Sequence, residues 1–420
     1  MNSNSITIKY NKLNGIYNPP PSKSHSFRAL ILLLHSKGKS IIKNLLQSDD
    51  VMNFAGLIKQ MNGVVQNDGN DFNFNIKNIK FIDKYDFKNS GTALRFFTSY
   101  LAINNQKAIL TGDEQLQTRE IKPLTSALTQ LGGEFRFLTN KEIPFEIIKG
   151  ISQNKCSVYA KDSQFLSSLL LNLPFYNQNT EIDVKLLNEI PYVEMSLYWL
   201  KKYNIKINYN DLNYFNITGN QKIDDFEAVI PADYSSASFV ILASIINNSE
   251  IFIKNLDLND PQGDKFILTF VQSIGCEIKF ENDGFFIKGD VKNGGSFDLN
   301  ATPDLLPVLS IFASIYPFEF KFFNCLSARF KETDRIKVAY DLLKSINTNV
   351  VELNDGLIIN GGNIPNNIEV FAKNDHRFIM GSSLYGLRKN STVKINDIKN
   401  YKSSYPDYFE HLKKLGAIID

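Results

Sequence analysis

The sequence predicts an α/β protein built from six similar units of roughly 70 residues, on three observations. Polar or Pro/Gly-containing clusters run into apolar stretches at a regular interval. Amphipathic helices recur midway between them. Several of those helices end in Gly or Asn and pass straight into a β-type segment.

The first series is S-K-S-H-S-F-R-A-L from Ser22, N-S-G-T-A-L-R from Asn89, D-S-Q-F-L-S-S-L from Asp162, D-Y-S-S-A-S-F from Asp233, T-P-D-L-L-P from Thr302 and N-D-H-R-F-I from Asn374. Successive starts lie 67, 73, 71, 69 and 72 residues apart, more regular than ordinary helix–strand alternation. The second series begins near Asp50, Lys122, Tyr192, Gly263, Glu332 and Tyr405, with apolar residues at helical spacing. Its ends, such as Q-M-N-G-V-V, Q-L-G-G-E-F and S-I-G-C-E-I, read as C-caps followed by strands. The segments S-I-T-I-K-Y, K-A-I-L-T, D-F-N-F-N-I, F-F-I-K-G and G-L-I-I-N-G alternate or run apolar as strands do. No Pro/Ser-rich linker interrupts them, and the fourth unit begins near residue 231, so a three-plus-three division into two domains is expected.

Composition narrows the function. The 420 residues, 43% hydrophobic and 12% aromatic, exclude wholesale disorder. Forty-six basic against 44 acidic residues leave a formal charge of +2, too weak a field to argue for nucleic acid or an anionic membrane. Cys156, Cys276 and Cys325 are odd in number and far apart, which argues against a disulfide framework and for a reducing compartment. The start M-N-S-N-S-I-T lacks a signal-peptide core, and no apolar run approaches the ~18 residues of a membrane span. A soluble, cytoplasmic protein is expected.

Of the basic residues 38 are Lys and eight are Arg, and five of those arginines (28, 95, 119, 335 and 377) fall at or beside predicted helix starts. A helix start offers unpaired N–H groups and a positive dipole end, and an arginine fork grips phosphate or carboxylate. The same starts carry Lys23 and Ser24, Asn89 and Gly91, Ser163 and Gln164, Lys331 and Glu332, and His376. If the six units point these ends inward, they form an anion-binding cleft for a substrate bearing several phosphates or carboxylates. Taken singly, Asp304 reads equally well as an N-cap, Glu332 as a first-turn dipole partner and Gly91 as a turn residue.

Taken in order, P-S-K-S-H-S-F-R-A-L, N-S-G-T-A-L-R, K-E-T-D-R, N-D-H-R and S-Y-P-D-Y-F resemble the 3-phosphoshikimate 1-carboxyvinyltransferase (EPSP synthase) family of enolpyruvyl transferases, over about residues 15 to 415. The resemblance implies a two-domain inside-out α/β barrel of six βαβαββ repeats, with 19–230 as the first domain and 1–18 plus 231–420 as the second. It also implies a monomer. The family moves the enolpyruvyl group of phosphoenolpyruvate to the 5-hydroxyl of shikimate 3-phosphate and releases phosphate, a step of the shikimate pathway. It uses no metal or organic cofactor, which suits the scattered His and Cys of this chain. By resemblance Lys23, Asn89, Gly91, Arg119, Arg335 and Arg377 hold phosphoenolpyruvate. Ser24, Arg28, Ser163, Gln164, Tyr192, Asp304 and Lys331 hold the acceptor, with Arg28 on its carboxylate. The catalytic groups implied are Lys23, Asp304 at the acceptor hydroxyl, Glu332 in proton transfer at the methylene carbon, and His376 orienting Glu332 or the phosphate. Gly91 leaves room for the inhibitor glyphosate in the same site.

Three positions depart from the family pattern. Asp162 replaces the first serine of S-S-Q, Glu189 replaces a phosphate-contacting serine ahead of Pro191-Tyr192, and Ser403 stands where a phosphate-binding lysine is usual, with Lys402 one residue earlier. A carboxylate ~4 Å from a phosphate costs about 1–4 kcal/mol. That leaves open takeover of the phosphate contact by a neighbour such as Lys161, Ser163 or Lys331, a non-phosphorylated or amino-bearing cyclic acceptor, or a catalytically silent anion-binding homologue. The related UDP-N-acetylglucosamine transferases typically use a loop cysteine, and T-G-D-E-Q-L-Q-T-R-E contains none.

Overall fold

The computed structural model describes residues 5–420. The chain forms two compact units: Lys23–Ile230, and the segment up to Ser22 together with Pro231–Asp420. The first holds helices α1 (Lys23–Leu33), α2 (Asp49–Gln60), α3 (Gly91–Ile103), α4 (Lys122–Gln130), α5 (Ser163–Asn172) and α6 (Ile190–Lys202). The second holds α7 (Tyr234–Ile246), α8 (Phe266–Ser273), α9 (Leu306–Ile315), α10 (Arg335–Ser345), α11 (His376–Gly386) and α12 (Tyr408–Lys414).

Odd-numbered helices are the first sequence series, and they are apolar nearly all round because they are buried all round. Within the first unit α1, α3 and α5 pack on one another; within the second, α7, α9 and α11 do. Short hydroxyls let them approach closely, as where Ser99 Oγ meets Ser168 Oγ at 2.7 Å. Even-numbered helices are amphipathic and cover a sheet face. Each ends on a residue with positive φ: Asn62, Gly132, Asn204, Gly275, Asn347 and Gly416. The cap signals indicated five of these positions, all but Gly416, and Asn serves at three of the six because it tolerates the left-handed region. Among the described residues, twelve of the eighteen non-glycine residues with positive φ are Asn.

Six four-stranded sheets complete the units. In residues 84–149, Lys84–Asp86 runs parallel to Ala108–Thr111 across α3, and Phe145–Lys149 pairs antiparallel between Ala108–Thr111 and Glu134–Phe137. Residues 155–217 and 295–360 repeat that order. The other three repeats differ from a simple run along the chain, because each takes a strand from a distance. Phe226–Val229 runs parallel to Ser40–Lys43 and closes the first repeat. Asn14–Tyr17 runs parallel to Glu250–Lys254. Ser5–Lys9 lies between Thr392–Asn396 and Ile418–Ile419.

Several helix starts move from their expected places. The segment from Thr302 first forms a 3-10 turn, Pro303–Leu305, and α9 opens at Leu306 with Pro307 in its first turn. Gly263 likewise begins a 3-10 turn ahead of α8. Helix α10 starts at Arg335 rather than near Glu332, because Asp334 is the better cap and accepts from Lys337 N at 3.0 Å. Helix α6 opens earlier, at Ile190, with Pro191 in its first turn, and α12 opens past Pro406.

Candidate functional site

In the Lys23–Ile230 unit the expected residues gather at the N-terminal ends of α1, α3 and α5. Lys23 opens α1 and pairs with Asp50, its Nζ 2.5 Å from Oδ2. One turn on, Arg28 is 2% exposed. Its Nη1 donates to the Ser24 carbonyl (2.9 Å), Nη2 to the Tyr192 carbonyl (2.6 Å) and Nε to Ser196 Oγ (3.0 Å). All three acceptors are neutral oxygens. Burial pushes the guanidinium down to about 9, against the Tyr192 side chain. A buried cation with no charged partner among these bonds is costly, and a ligand carboxylate would relieve it.

Gly91 is the first residue of α3 rather than a turn residue, and Ser90 caps the helix. A Cβ at Gly91 would stand 2.8 Å from Arg119 Nη1. Arg119 Nη2 donates to Asn89 Oδ1 at 3.0 Å, and Asn89 Nδ2 donates to Gln115 Oε1 at 2.5 Å. Arg119, Asn89 and Gly91 thus form one small cradle.

The two replaced serines find partners inside this unit. Asp162 caps α5 by accepting from Gln164 N at 2.9 Å, and its other oxygen pairs with Arg95 Nη1 at 2.8 Å. Arg95 Nη1 also donates to Gln164 Oε1 at 2.9 Å. Glu189 Oε2 accepts from Ser163 Oγ (2.7 Å) and Ser163 N (3.2 Å). Glu189 holds a left-handed conformation, φ 57°, unusual for a Glu and a local strain. Both carboxylates are thus held by groups of this same unit.

In the other unit the center is Arg335, 1% exposed, whose three donors meet three carboxylates. Nε reaches Asp375 at 3.0 Å, Nη1 reaches Asp304 at 2.7 Å and Nη2 reaches Glu332 at 2.5 Å. Arg377, second residue of α11, donates from Nη2 to the other oxygen of Asp304 at 2.7 Å and from Nη1 to Ser235 Oγ at 2.5 Å. Asp304 therefore lies between two guanidiniums. Burial alone would raise its carboxyl, but Arg377 and then Arg335 outweigh burial and hold it well below the usual range. Asp375 shows the same balance: burial opposed by Arg335 lowers it.

Asp304 is not the N-cap of α9, and Glu332 lies outside the first turn of α10. Lys331 and Glu332 occupy the segment between the 3-10 helix Leu326–Phe330 and α10, so neither sits on a helix start. Lys331 still contributes positive charge at Asp304. His376 opens α11 and is 3% exposed. Ser403 is buried at the end of the 3-10 turn Tyr401–Ser403, while the exposed Lys402 lies over the Tyr401 ring at 5.9 Å.

Sequence reasoning passed over several partners. Asp375 stands within N-D-H-R and caps α11 by accepting from Arg377 N at 2.9 Å, the position an Asp ahead of a helix prefers. Asp50, Ser235 and Asp264 carried no motif signal beyond residue type. The three cysteines are buried and unbonded, and burial pushes their thiols up to between about 11 and about 12, so none is poised as a nucleophile. Among the described residues no helix is long and apolar enough to cross a membrane.

Comparison with known proteins shows the family. Residues 8–412 match the family EPSP synthase (3-phosphoshikimate 1-carboxyvinyltransferase). The 3-phosphoshikimate 1-carboxyvinyltransferase of Ruminiclostridium cellulolyticum is 33% identical over 421 residues, covering 99% of each chain. That of Methanocaldococcus jannaschii is 34% identical, again over 99% of each. An EPSP synthase structure from Acinetobacter baumannii superposes with a TM-score of 0.80 at 20% identity, covering 99% of both chains. With a full-length match, shared motifs and a common fold, this chain belongs to the EPSP synthase family.

Proposed function

We infer that the protein transfers the enolpyruvyl group of phosphoenolpyruvate to the 5-hydroxyl of shikimate 3-phosphate, releasing phosphate. The observation that carries this is the buried guanidinium of Arg335 and the partly buried one of Arg377, held against Asp304 with Glu332 alongside. Two fixed forks suit a dianionic phosphate and a carboxylate, and two nearby acids suit proton transfer at carbon and oxygen. By the family resemblance Lys23, Asn89, Gly91, Arg119, Arg335 and Arg377 are assigned to phosphoenolpyruvate. Ser24, Arg28, Ser163, Gln164, Tyr192, Asp304 and Lys331 are assigned to the acceptor. Glu332 delivers the proton to the methylene carbon, Asp304 takes the acceptor's hydroxyl proton, and His376 orients Glu332. Lys23 stabilises charge on the departing phosphate. We place the enzyme in the cytoplasm as a monomer.

Phosphate release from phosphoenolpyruvate tests the reading, with shikimate 3-phosphate in one arm and shikimate in the other. Release with the first is the expected result. A second reading, an acceptor lacking the 3-phosphate, is favoured by the carboxylates of Asp162, which caps α5, and Glu189, which takes up the hydroxyl and amide donors of Ser163. Release with shikimate alone supports that reading, and release with neither leaves a silent anion binder or another acceptor.

Two substitutions probe the assignments. Replacing Gly91 by Ala should displace the Arg119 guanidinium, because a methyl 2.8 Å from Nη1 is too close for contact. The expected outcome is a KM for phosphoenolpyruvate raised about tenfold, and weaker inhibition by glyphosate. Unaltered inhibition would place glyphosate elsewhere. Replacing Arg28 by Met should separate stability from binding. Removing a buried charge without a charged partner costs little, so the melting temperature should stay within ~3 °C, while the acceptor KM rises about 100-fold. An unchanged acceptor KM removes Arg28 from the carboxylate role.

A further inference from the structure

Asp264 lies in the 3-10 turn Gly263–Lys265 that leads into α8, 2% exposed. Its Oδ1 accepts from Thr302 Oγ1, while Oδ2 has no hydrogen-bond partner of good geometry. Thr302 is the cap of the 3-10 turn Pro303–Leu305, which carries Asp304. Ser235, on α7, accepts from Arg377 Nη1, and its hydroxyl favours the charged form of Asp264. Asp264 therefore bonds the Asp304 side of the anion clamp through the Thr302 hydroxyl, and on the Arg377 side it feels the hydroxyl of Ser235.

The charged groups that face Asp264 are Asp304, from the turn ahead of α9, and Arg377, from α11. On its own turn Lys265 is engaged elsewhere, its Nζ donating to the carbonyls of Leu258 and Asp260. Burial, with Asp304 adding to it and Arg377 opposing, pushes the Asp264 carboxyl up to about 6. A neutral side chain would fill this place at lower cost, so stability alone does not account for an acid here.

We propose that Asp264 is a positioning residue for the anion clamp: it orients Arg377 through Ser235 and the turn of Asp304 through Thr302, and its protonation state sets how strongly Arg377 holds a substrate anion. This rests on the reading that Arg377 binds phosphoenolpyruvate. The sign follows from linkage. An anion on Arg377 offsets the charge that opposes protonation of Asp264, so anion binding favours the protonated acid, and the protonated acid favours anion binding. Above about pH 6 the carboxylate ionises, weakens the hold on the anion and keeps the neighbouring Asp304 more basic. Affinity and turnover then move in opposite directions, which structural damage does not produce.

The experiment measures KM for phosphoenolpyruvate and kcat at saturating shikimate 3-phosphate, for wild type and Asp264→Asn, between about pH 5 and 8. Substrate phosphate also titrates near pH ~6, but identically for both proteins, so the ratio of their KM values isolates Asp264. Wild type over variant should be near one at low pH and rise to about fivefold at high pH, with a midpoint near 6 and a lower kcat for the variant at the alkaline end. Ser235→Ala keeps the acid but removes a hydroxyl that favours its ionised form, so the wild-type midpoint should move to higher pH. A flat ratio, or an unmoved midpoint with Ser235→Ala, overturns the proposal while the enzyme remains active. A wild type that releases no phosphate at any pH overturns the functional reading and the proposal with it.

Discussion

Replacing Arg335 by Lys should lower kcat/KM by about a thousandfold while the protein still folds. The guanidinium is 1% exposed and spends its three nitrogens on three acids that diverge around it: Asp375, Asp304 and Glu332. A lysine keeps one positive charge but offers a single point of contact on a flexible stem. At least one acid is then left buried without its partner, at about 1–3 kcal/mol. Because the unit is some 200 residues in size, that corresponds to about 3–10 °C in melting temperature. On the proposed assignment the same fork also holds the substrate anion, so the loss in turnover should exceed what this cost alone explains. Steady-state kinetics well below the melting transition, with the melting curve measured in parallel, separate the two effects. Near-normal kinetics would falsify the assignment of Arg335 to the clamp.

The arginine also shows what could be read from the chain and what could not. K-E-T-D-R places a five-donor cation beside a helix start, although the start expected near Glu332 falls at Arg335 with Asp334 as its cap. That the cation is fully enclosed by acids from the turn Pro303–Leu305, from the segment before α10 and from the cap of α11 is a tertiary fact, since those residues lie 31, 3 and 40 positions away. Local signals were strong where the backbone needs a special residue. The ends at Asn62, Gly132, Asn204, Gly275 and Asn347 were legible as caps, and each is left-handed. They were weak where strands choose partners. Nothing in the alternation of Ser5–Lys9 or Phe226–Val229 says that either completes a sheet begun hundreds of residues away.

Asp162 and Glu189 illustrate the same limit from the other side. In the sequence each is a negative charge where a phosphate contact is usual, and the simplest expectation is repulsion. In the fold Arg95 pairs with the first and Ser163 donates twice to the second. Their net effect on an incoming phosphate is then smaller than two bare charges at contact distance, because each charge is already hydrogen-bonded. Residue type gives the charge, but only the packing of α3, α5 and the segment before α6 gives the partners, a guanidinium for Asp162 and neutral donors for Glu189.

Replacing Asp304 by Asn should lower kcat by about 10²–10⁴-fold while lowering the KM for phosphoenolpyruvate several-fold. Without substrate, Asp304 occupies Arg335 Nη1 and Arg377 Nη2 at once, 2.7 Å from each, and so acts as an internal anion in the clamp. Its carboxyl is held well below the usual range by those two guanidiniums, which makes it a poor base in that state. A substrate phosphate or carboxylate competes for the same donors. As it draws them away, Asp304 loses its stabilising charges and its affinity for a proton rises, so basicity appears when the substrate is in place. Asparagine keeps an oxygen for one guanidinium but no charge, which leaves the arginines freer for the substrate and removes the base. The measurement is a pair of steady-state constants, and their directions carry the argument. Parallel losses in both, a higher KM with a lower kcat, would mean that Asp304 only supports the fold of the clamp. A lower KM with a lower kcat means that the acid restrains the arginines until the substrate releases it.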